Sequence, residues 1–383
     1  MKIEQTMWTQ AKGWQPHPPG KKDLAAQLVF LFGSRGTLGE KKILGEAKAA
    51  YPNAHFIGCS TAGEICGDSV YDDSLTVTAV EFEHTQLKVA AVKAKTAKES
   101  RKAGKGLALV LGGDNLVHVF VLSKGLDING SELVEGLAGN LPQDVSVTGG
   151  LAGDGESFKE TRIFCDTKTG TDLIVAVGFY GKRLKVGCGS LGGWDTFGPD
   201  RLVTRARGNV LYELDGQSAL GRYKKYLGEH AAGLPATGLL FPLSLRANLD
   251  LAAPTGVVRT ILSIDEKEQS ITFAGDIHEG SYARLMKANF DRLIDGAVGA
   301  AKTSYEAVAV GTRPPDLAIL ISCVGRKMIL RQRIEEEIEG VREVMGEQTV
   351  LTGFYSYGEI SPFTPHARCE LHNQTMTITT LSE

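Results

Sequence analysis

Short apolar runs, set apart by glycine and proline, punctuate this chain, and three of them begin a recurring order of elements. The runs are Leu28–Phe32, Val117–Ser123 and Leu317–Cys323, each compact enough for a buried strand. After the first, Ile43, Leu44, Ala47 and Tyr51 recur at helical spacing; after the second come Leu133, Val134, Leu137 and Leu141. After the third come Leu330, Ile334, Ile338, Val341 and Met345. Each unit then reaches a glycine-rich turn carrying an acid, GCSTAGEI, DVSVTGGLAGDG or TVLTGFYSYGEI, and a further strand, LTVTAVEF, TRIFC or TMTITTL. The spans from Leu28 to Gly63, from Val117 to Gly153 and from Leu317 to Gly358 are similar, so spacing and end motif repeat together.

Between the second and third units the pattern changes. LIVAVGFYG and LKVGCGS read as a hairpin around Gly181 and Lys182, RLVTRARGNVLYEL as a strand pair around Gly208 and Asn209, and VVRTILSID with SITFAG as another hairpin. Residues Ala219–Leu227 read as a helix, and a long helix is predicted from about Ala283 toward Val310. Gly228–Pro242, with Gly233, Pro235 and Gly238, reads as a linker between lobes. Met1–Lys22 reads as an extended lead-in, because Pro16, Pro18 and Pro19 interrupt helix and ladder alike, so the fold proper is expected from Leu24. The expected class is mixed α/β: repeated strand-helix-strand units with Gly-acid turns, plus β-hairpins, in two lobes.

At 383 residues and 42% hydrophobic content the chain can bury a large core, and a net charge of −3 gives no bulk attraction for nucleic acid. No apolar run approaches the roughly 20 residues needed to span a bilayer, and the N-terminus lacks the apolar core of an export signal. No nucleic-acid partner, no membrane insertion and a cytoplasmic location are therefore expected. The six cysteines are scattered singly, without CxxC pairs, and read as free thiols. Arg331, Arg333, Glu335 and Glu337 read as surface pairs on a helix.

Candidate chemistry gathers at the turns. Glu64, Asp154 and Glu359 each follow a glycine at a strand end, where open α/β sheets place their ligand crevice. Such carboxylates either bind an ammonium, amide or hydroxyl of a ligand, with Ser60, Thr61 and Ser356 beside them, or cap the backbone that follows. Tyr355, Tyr357 and Phe363 offer an aromatic wall or a lid on the core. Arg326 stands after its strand much as Arg35 does after the first, placed to clamp a carboxylate or phosphate. Cys59 is either an activated thiol of a cysteine-dependent enzyme or a buried one, and no histidine is assignable to it. Non-covalent haem would need one histidine, and His278 in DIHEG and His55 are the candidates. No metal ligand set is assigned.

GCSTAGEI, TGGLAGDG, SCVGR and GFYSYGEISP, in that order, resemble the FIST family of sensory proteins. The resemblance implies an N-terminal FIST domain over 24–220 and a C-terminal one over 221–365, after a lead-in of 1–23 and before a strand in 366–383 that packs on the second domain. It implies a small-ligand sensor, for an amino acid or related metabolite, and not an enzyme. Some family members are haemoproteins that sense nitric oxide, which keeps haem as the alternative cofactor. The family is associated with histidine kinases and cyclic-nucleotide signalling proteins, and no output segment follows Glu383, so a separate partner is expected. The motif residues carried over are Gly58, Cys59, Ser60, Thr61, Ala62, Gly63 and Glu64, then Gly149, Gly150, Gly153 and Asp154, then Cys323, Arg326, Gly353, Tyr355, Tyr357, Gly358 and Glu359.

Overall fold

A computed structural model of the chain describes residues 1–247, 256–308, 313–362 and 367–383; Phe363, Pro365 and Val310, named above, lie outside the described residues. The three apolar runs form strands Leu28–Gly33, Leu116–Ser123 and Leu317–Cys323, each central in its own sheet. Each pairs in parallel with the next strand of its unit, His55–Ser60, Ser146–Leu151 or Val350–Ser356, across a helical crossover. On its other side each pairs antiparallel with a later strand, Ser74–Glu81, Leu173–Tyr180 or Met376–Ser382. The fold class is α/β.

The turn strands do not stay at home. Glu64–Cys66 leaves the first unit and joins Val350–Ser356 of the third, Gly358–Pro362 leaves the third and joins Ser146–Leu151 of the second, and Ile163–Cys165 leaves the second and joins His55–Ser60 of the first. The three sheets are thus laced in a ring by exchanged strands. Alternation along the central strands explains their meeting: Phe30, Phe32, Phe120, Ile319 and Ile321 share one inner core, while Val29, Leu31, Val119 and Leu320 face outward toward helices. Phe32 meets Phe354 at 4.8 Å between ring centroids, and Phe30 meets Phe120 edge-on at 5.5 Å.

The neighbouring parallel strands lie close because glycine stands where a side chain would strike backbone. A Cβ on Gly149 would come within 1.8 Å of the Val121 carbonyl oxygen, and one on Gly353 within 1.8 Å of that of Leu320.

A second lobe, 195–287, is antiparallel β-sheet around its own core of Val203, Leu211, Tyr223, Leu243, Ile271 and Phe273. It contains the expected pairings of Arg201–Arg207 with Val210–Leu214 and of Ile261–Asp265 with Ser270–Phe273, and the helix Ala219–Leu227.

Several expectations need correction. Much of the lead-in is instead paired: Lys2–Thr9 runs in register with Ser74–Glu81 over its whole length and Gly13–Gln15 folds back on it at the edge of the sheet, because the prolines all fall after both. Leu173–Tyr180 and Lys185–Leu191 do not form a hairpin; the latter pairs with Met376–Ser382. Gly228–Pro242 does not run between lobes but folds as short 3-10 turns, Gly228–Gly233 and Ala236–Leu240, with Leu234 and Leu240 packed on the small lobe's core. The long helix is Phe290–Val308, and Tyr282–Lys287 before it is a strand. A helix that periodicity reading missed, Ser100–Leu111, packs beside Gly130–Ala138. No described helix is long and apolar enough to cross a membrane.

Candidate functional site

Where Leu28–Gly33 and His55–Ser60 end side by side, the chain opens into a crevice of about 480 Å³. Ser34, Arg35 and Gly36 follow the first strand, Thr61, Ala62, Gly63 and Glu64 the second. Asp72 and Asp73 come from the turn before Ser74–Glu81, and Asp154, Gly155 and Ser157 from the turn of the second unit. Of the residues singled out by sequence, this crevice brings together Arg35, Thr61, Gly63, Glu64 and Asp154.

Glu64 is buried and fully engaged. The Thr61 hydroxyl donates to it, as do the Ser74 backbone N–H (3.1 Å) and hydroxyl (2.7 Å). Burial pushes its carboxyl up to about 7 against the pull of these donors. Asp154 stays ionised: burial pushes it up, but the Glu160 N–H, the Tyr357 hydroxyl and the Lys159 N–H together hold it below the ordinary carboxylate range. Arg35 is exposed and its guanidinium stands 4.0 Å from Asp154. Asp73 also lines the crevice and is exposed, its backbone left-handed at φ 52°, which aspartate tolerates.

The crevice therefore carries Arg35 and Asp154 with Asp73 beside them and Asp72 already paired to Lys327, cation and carboxylates together, a charge pattern matched by a zwitterion. Three of its contributors went unread in the sequence. Asp72 and Asp73 sit in a short acidic turn indistinguishable from a solvated loop, and Lys327, which ion-pairs Asp72 and donates to the Ala62 carbonyl at 2.9 Å, comes from the third unit.

The remaining candidates lie elsewhere. Glu359 is buried on the strand that the third unit lends to the second sheet, accepting from Ser356 (2.7 Å) and from the Thr375 N–H and hydroxyl (3.2 and 3.0 Å), and burial pushes it up to about 8. These bonds repeat the Thr61–Glu64–Ser74 arrangement and lock the turn. Gly150 stands opposite Glu359 in the ladder, and Ser60 accepts the Arg162 N–H at 2.8 Å; both are structural. Tyr357 reaches across to Asp154 and stacks on Phe158 at 4.5 Å, a lid shared by two units. Tyr355 is buried, its hydroxyl on Glu337 at 2.7 Å.

Arg326 is no clamp. It is wholly buried, bonded to Glu337, Gly192 and Leu293, and Glu337 is likewise buried rather than a surface partner. Ladder register explains the misreading: Gly33 faces Leu75 and Ser322 faces Met376, so Arg35 corresponds to Val324, and Arg326 to the buried Thr37.

Cys59 lies in the inner core, where burial, and then the nearby Glu64 charge, push its thiol well above the usual value. That environment suppresses the thiolate a nucleophile needs. All six cysteines are free, and only Cys66 is less than buried. Alkylation of the native protein at neutral pH is expected to modify at most Cys66 and to reach Cys59 only after denaturation, as peptide mapping would show; prompt labelling of Cys59 would restore the thiol reading.

The histidines weighed for haem are set apart from this crevice. His55 is exposed, 3.5 Å from Asp166. His278 is exposed at the edge of a cavity of about 640 Å³ whose lining includes Arg246, Arg259, Asp276, Glu279 and Arg368. The same lining carries the apolar Val134, Leu245, Val257 and Leu371.

A FIST N domain model matches residues 27–217 and a FIST C domain model matches residues 219–362, together most of the chain. The chain belongs to the FIST family. FIST domains are small-ligand sensory domains of signal transduction. An uncharacterized protein of Methanocaldococcus jannaschii is 26% identical over 372 residues, an alignment spanning 88% of this chain and 70% of that protein. In this FIST protein the two matched segments are interlaced, since Glu64–Cys66 of the first completes a sheet of the second and Gly358–Pro362 of the second completes a sheet of the first.

Proposed function

We propose that this FIST protein is a sensor whose ligand is an amino acid or related zwitterionic metabolite, held in the Arg35 crevice and reported to a separate partner protein. The carrying observation is the exposed Arg35 guanidinium 4.0 Å from Asp154 in a strand-end crevice that Asp73 also lines. In this reading Arg35 takes the ligand carboxylate, Asp73 and Asp154 take the ammonium, and Gly63 keeps the floor low enough for backbone approach. Thr61 and Glu64 hold the turn in shape. Tyr357, bonded to Asp154, carries occupancy from the second unit to the third. The partner classes that suit a family of this kind are a histidine kinase or a cyclic-nucleotide signalling protein.

Thermal unfolding against a panel of free amino acids tests the reading. A binder at a hundred times its Kd should stabilise the protein by about 2.7 kcal/mol. Arg35→Ala is expected to weaken binding by about tenfold or more, the loss of one charge-assisted contact, with little change in ligand-free melting because Arg35 is exposed. A panel without any shift, or a haem Soret band near about 400 nm in the purified protein, would overturn the proposal.

A further inference from the structure

The second sheet has a strand-end position equivalent to that of Arg35, and it holds a buried cation. Gly33 lies beside Ser60, four residues before Glu64, and Leu122 lies beside Gly150, four residues before Asp154. Two residues beyond Gly33 stands Arg35, and two beyond Leu122 stands Lys124. The antiparallel neighbours agree: Leu75 faces Gly33 and Val175 faces Leu122, so Asp172 stands where Asp72 does.

Lys124 lines a crevice of about 560 Å³ between the turn before Leu173–Tyr180 and the segment leading into Ile163–Cys165. It is 3% exposed. Its ammonium donates to the Lys95 carbonyl at 3.0 Å and pairs with no carboxylate among the described residues. Lys95 lines the same crevice, which puts that ammonium at the crevice wall. An ammonium has three N–H donors, so two remain for another partner. Thr161, also lining the crevice and 3% exposed, accepts the Gly125 N–H at 2.9 Å, and its own hydroxyl proton goes to no described partner. Burial lowers the Lys124 pKa against the fields of Asp127, Asp172 and Glu99, as expected of a charge its surroundings do not fully compensate.

The charge around it is unbalanced. Lys95 and Lys159 are exposed on the same lining and form no ion pair among the described residues. Of the lining carboxylates, Asp172 is held by Lys93 at 3.2 Å and Glu160 by Arg162 at 2.8 Å, both cations from outside the lining. Three lysines therefore face one uncommitted acid, Asp127. Leu126 is the only apolar side chain among the described lining residues, too little to seat a nucleobase or another flat apolar group.

We infer that this crevice binds a phosphate group, as inorganic phosphate or as a small hydrophilic phosphate monoester, with the buried Lys124 and Thr161 as donors and the exposed Lys95 and Lys159 completing the charge. A phosphate at neutral pH carries about two negative charges, matching three lysines less one aspartate. Lysine is a compact point charge that suits a tetrahedral group, whereas the planar fork of Arg35 at the equivalent position suits a carboxylate. No residue lines both crevices, so failure here and failure of the amino-acid site are separate results.

Calorimetry of the full chain at low ionic strength with inorganic phosphate, glycerol 3-phosphate and succinate tests this. Tighter binding of phosphate identifies the free ion as the ligand, and tighter binding of glycerol 3-phosphate identifies a monoester. Succinate, a dianion without the tetrahedral group, should bind at least about tenfold more weakly. Lys124→Met is expected to weaken phosphate binding about tenfold or more. Lys159→Gln, at an exposed position where folding is not at stake, should weaken it about two- to fivefold. Arg35→Ala should leave it unchanged. The inference is overturned if neither phosphate probe binds, if succinate binds as tightly as they do, if either lysine variant binds like the wild type, or if Arg35→Ala abolishes the binding.

Discussion

Arg326→Met is expected to cost about 3–5 kcal/mol of unfolding free energy, the penalty for leaving a buried charge without its partner. The guanidinium donates to the Gly192 carbonyl at 2.6 Å, to that of Leu293 at 2.7 Å, and to Glu337 at 2.7 Å through Nη2 and 3.2 Å through Nε. These partners lie after the outer strand Lys185–Leu191, in the helix Phe290–Val308, and in the helix Ile334–Met345. One side chain thus ties three separate pieces of chain. Glu337 keeps Ser322 (3.1 Å) and Tyr355 (2.7 Å) as donors but loses the only cation it contacts among the described residues. Arg326→Met with Glu337→Leu should recover part of the loss, since apolar replacement of a whole buried pair is often tolerated. Equilibrium urea unfolding measures both variants. A single variant within about 1 kcal/mol of wild type would be below the buried-charge penalty and would contradict the reading of Arg326 and Glu337 as a buried ion pair.

Stability should fall as pH rises from about 6.5 to 8, against the habit of many proteins. Glu64 and Glu359 are pushed up to about 7 and about 8 from an ordinary 4.5, so the folded state holds their protons longer than the unfolded chain does. Each contributes fully below pH 4.5 and loses that contribution as pH rises to its folded value, at about 1.4 kcal/mol per pH unit. The buried imidazoles of His118 and His372 act the other way. Burial lowers them to about 3 and about 4 from 6.5, so their contribution grows as pH rises and is complete at 6.5. Between 4.5 and 6.5 two falling and two rising terms cancel, leaving a plateau; above it only the glutamates remain. Glu359→Gln should flatten the curve from pH 7 to 8, and denaturant midpoints at pH 6, 7 and 8 would show it. Equal stability of the wild type at pH 6 and pH 8 would contradict the burial argument for both glutamates.

What sequence reading could and could not reach follows from the range of each signal. Val29 through Phe32, Val119 through Leu122 and Ala318 through Ile321 announce buried strands by composition alone, and Ile43, Leu44 and Ala47 announce a helix by period. Pairing partners are another matter. Lys185–Leu191 follows Leu173–Tyr180 closely enough to suggest a hairpin, yet its ladder is with Met376–Ser382, and nothing local encodes that choice. The same holds for charge. Arg326 reads as a ligand clamp and Glu337 as a surface partner one by one, and their burial becomes legible only once Arg326 is seen to meet Leu293 and Glu337 to meet Tyr355. At the crevice, Glu64 and Asp154 stand out because each follows a glycine in a motif, whereas Asp72 and Asp73 resemble any polar turn and Lys327 arrives from the far end of the chain.

The ring of exchanged strands also bears on how the molecule is made. During synthesis Glu64–Cys66 emerges well before its ladder partner Val350–Ser356, with most of the two domains between them. The second sheet likewise waits for Gly358–Pro362. Local helices and parallel pairs can form as the chain lengthens, while both unfinished sheets keep an open edge of the kind that invites pairing with other chains. The nascent chain is therefore exposed to misassociation until Val350–Pro362 has emerged, and a product truncated between residues 323 and 350 would carry two unclosed sheets, a natural substrate for chaperones and proteases.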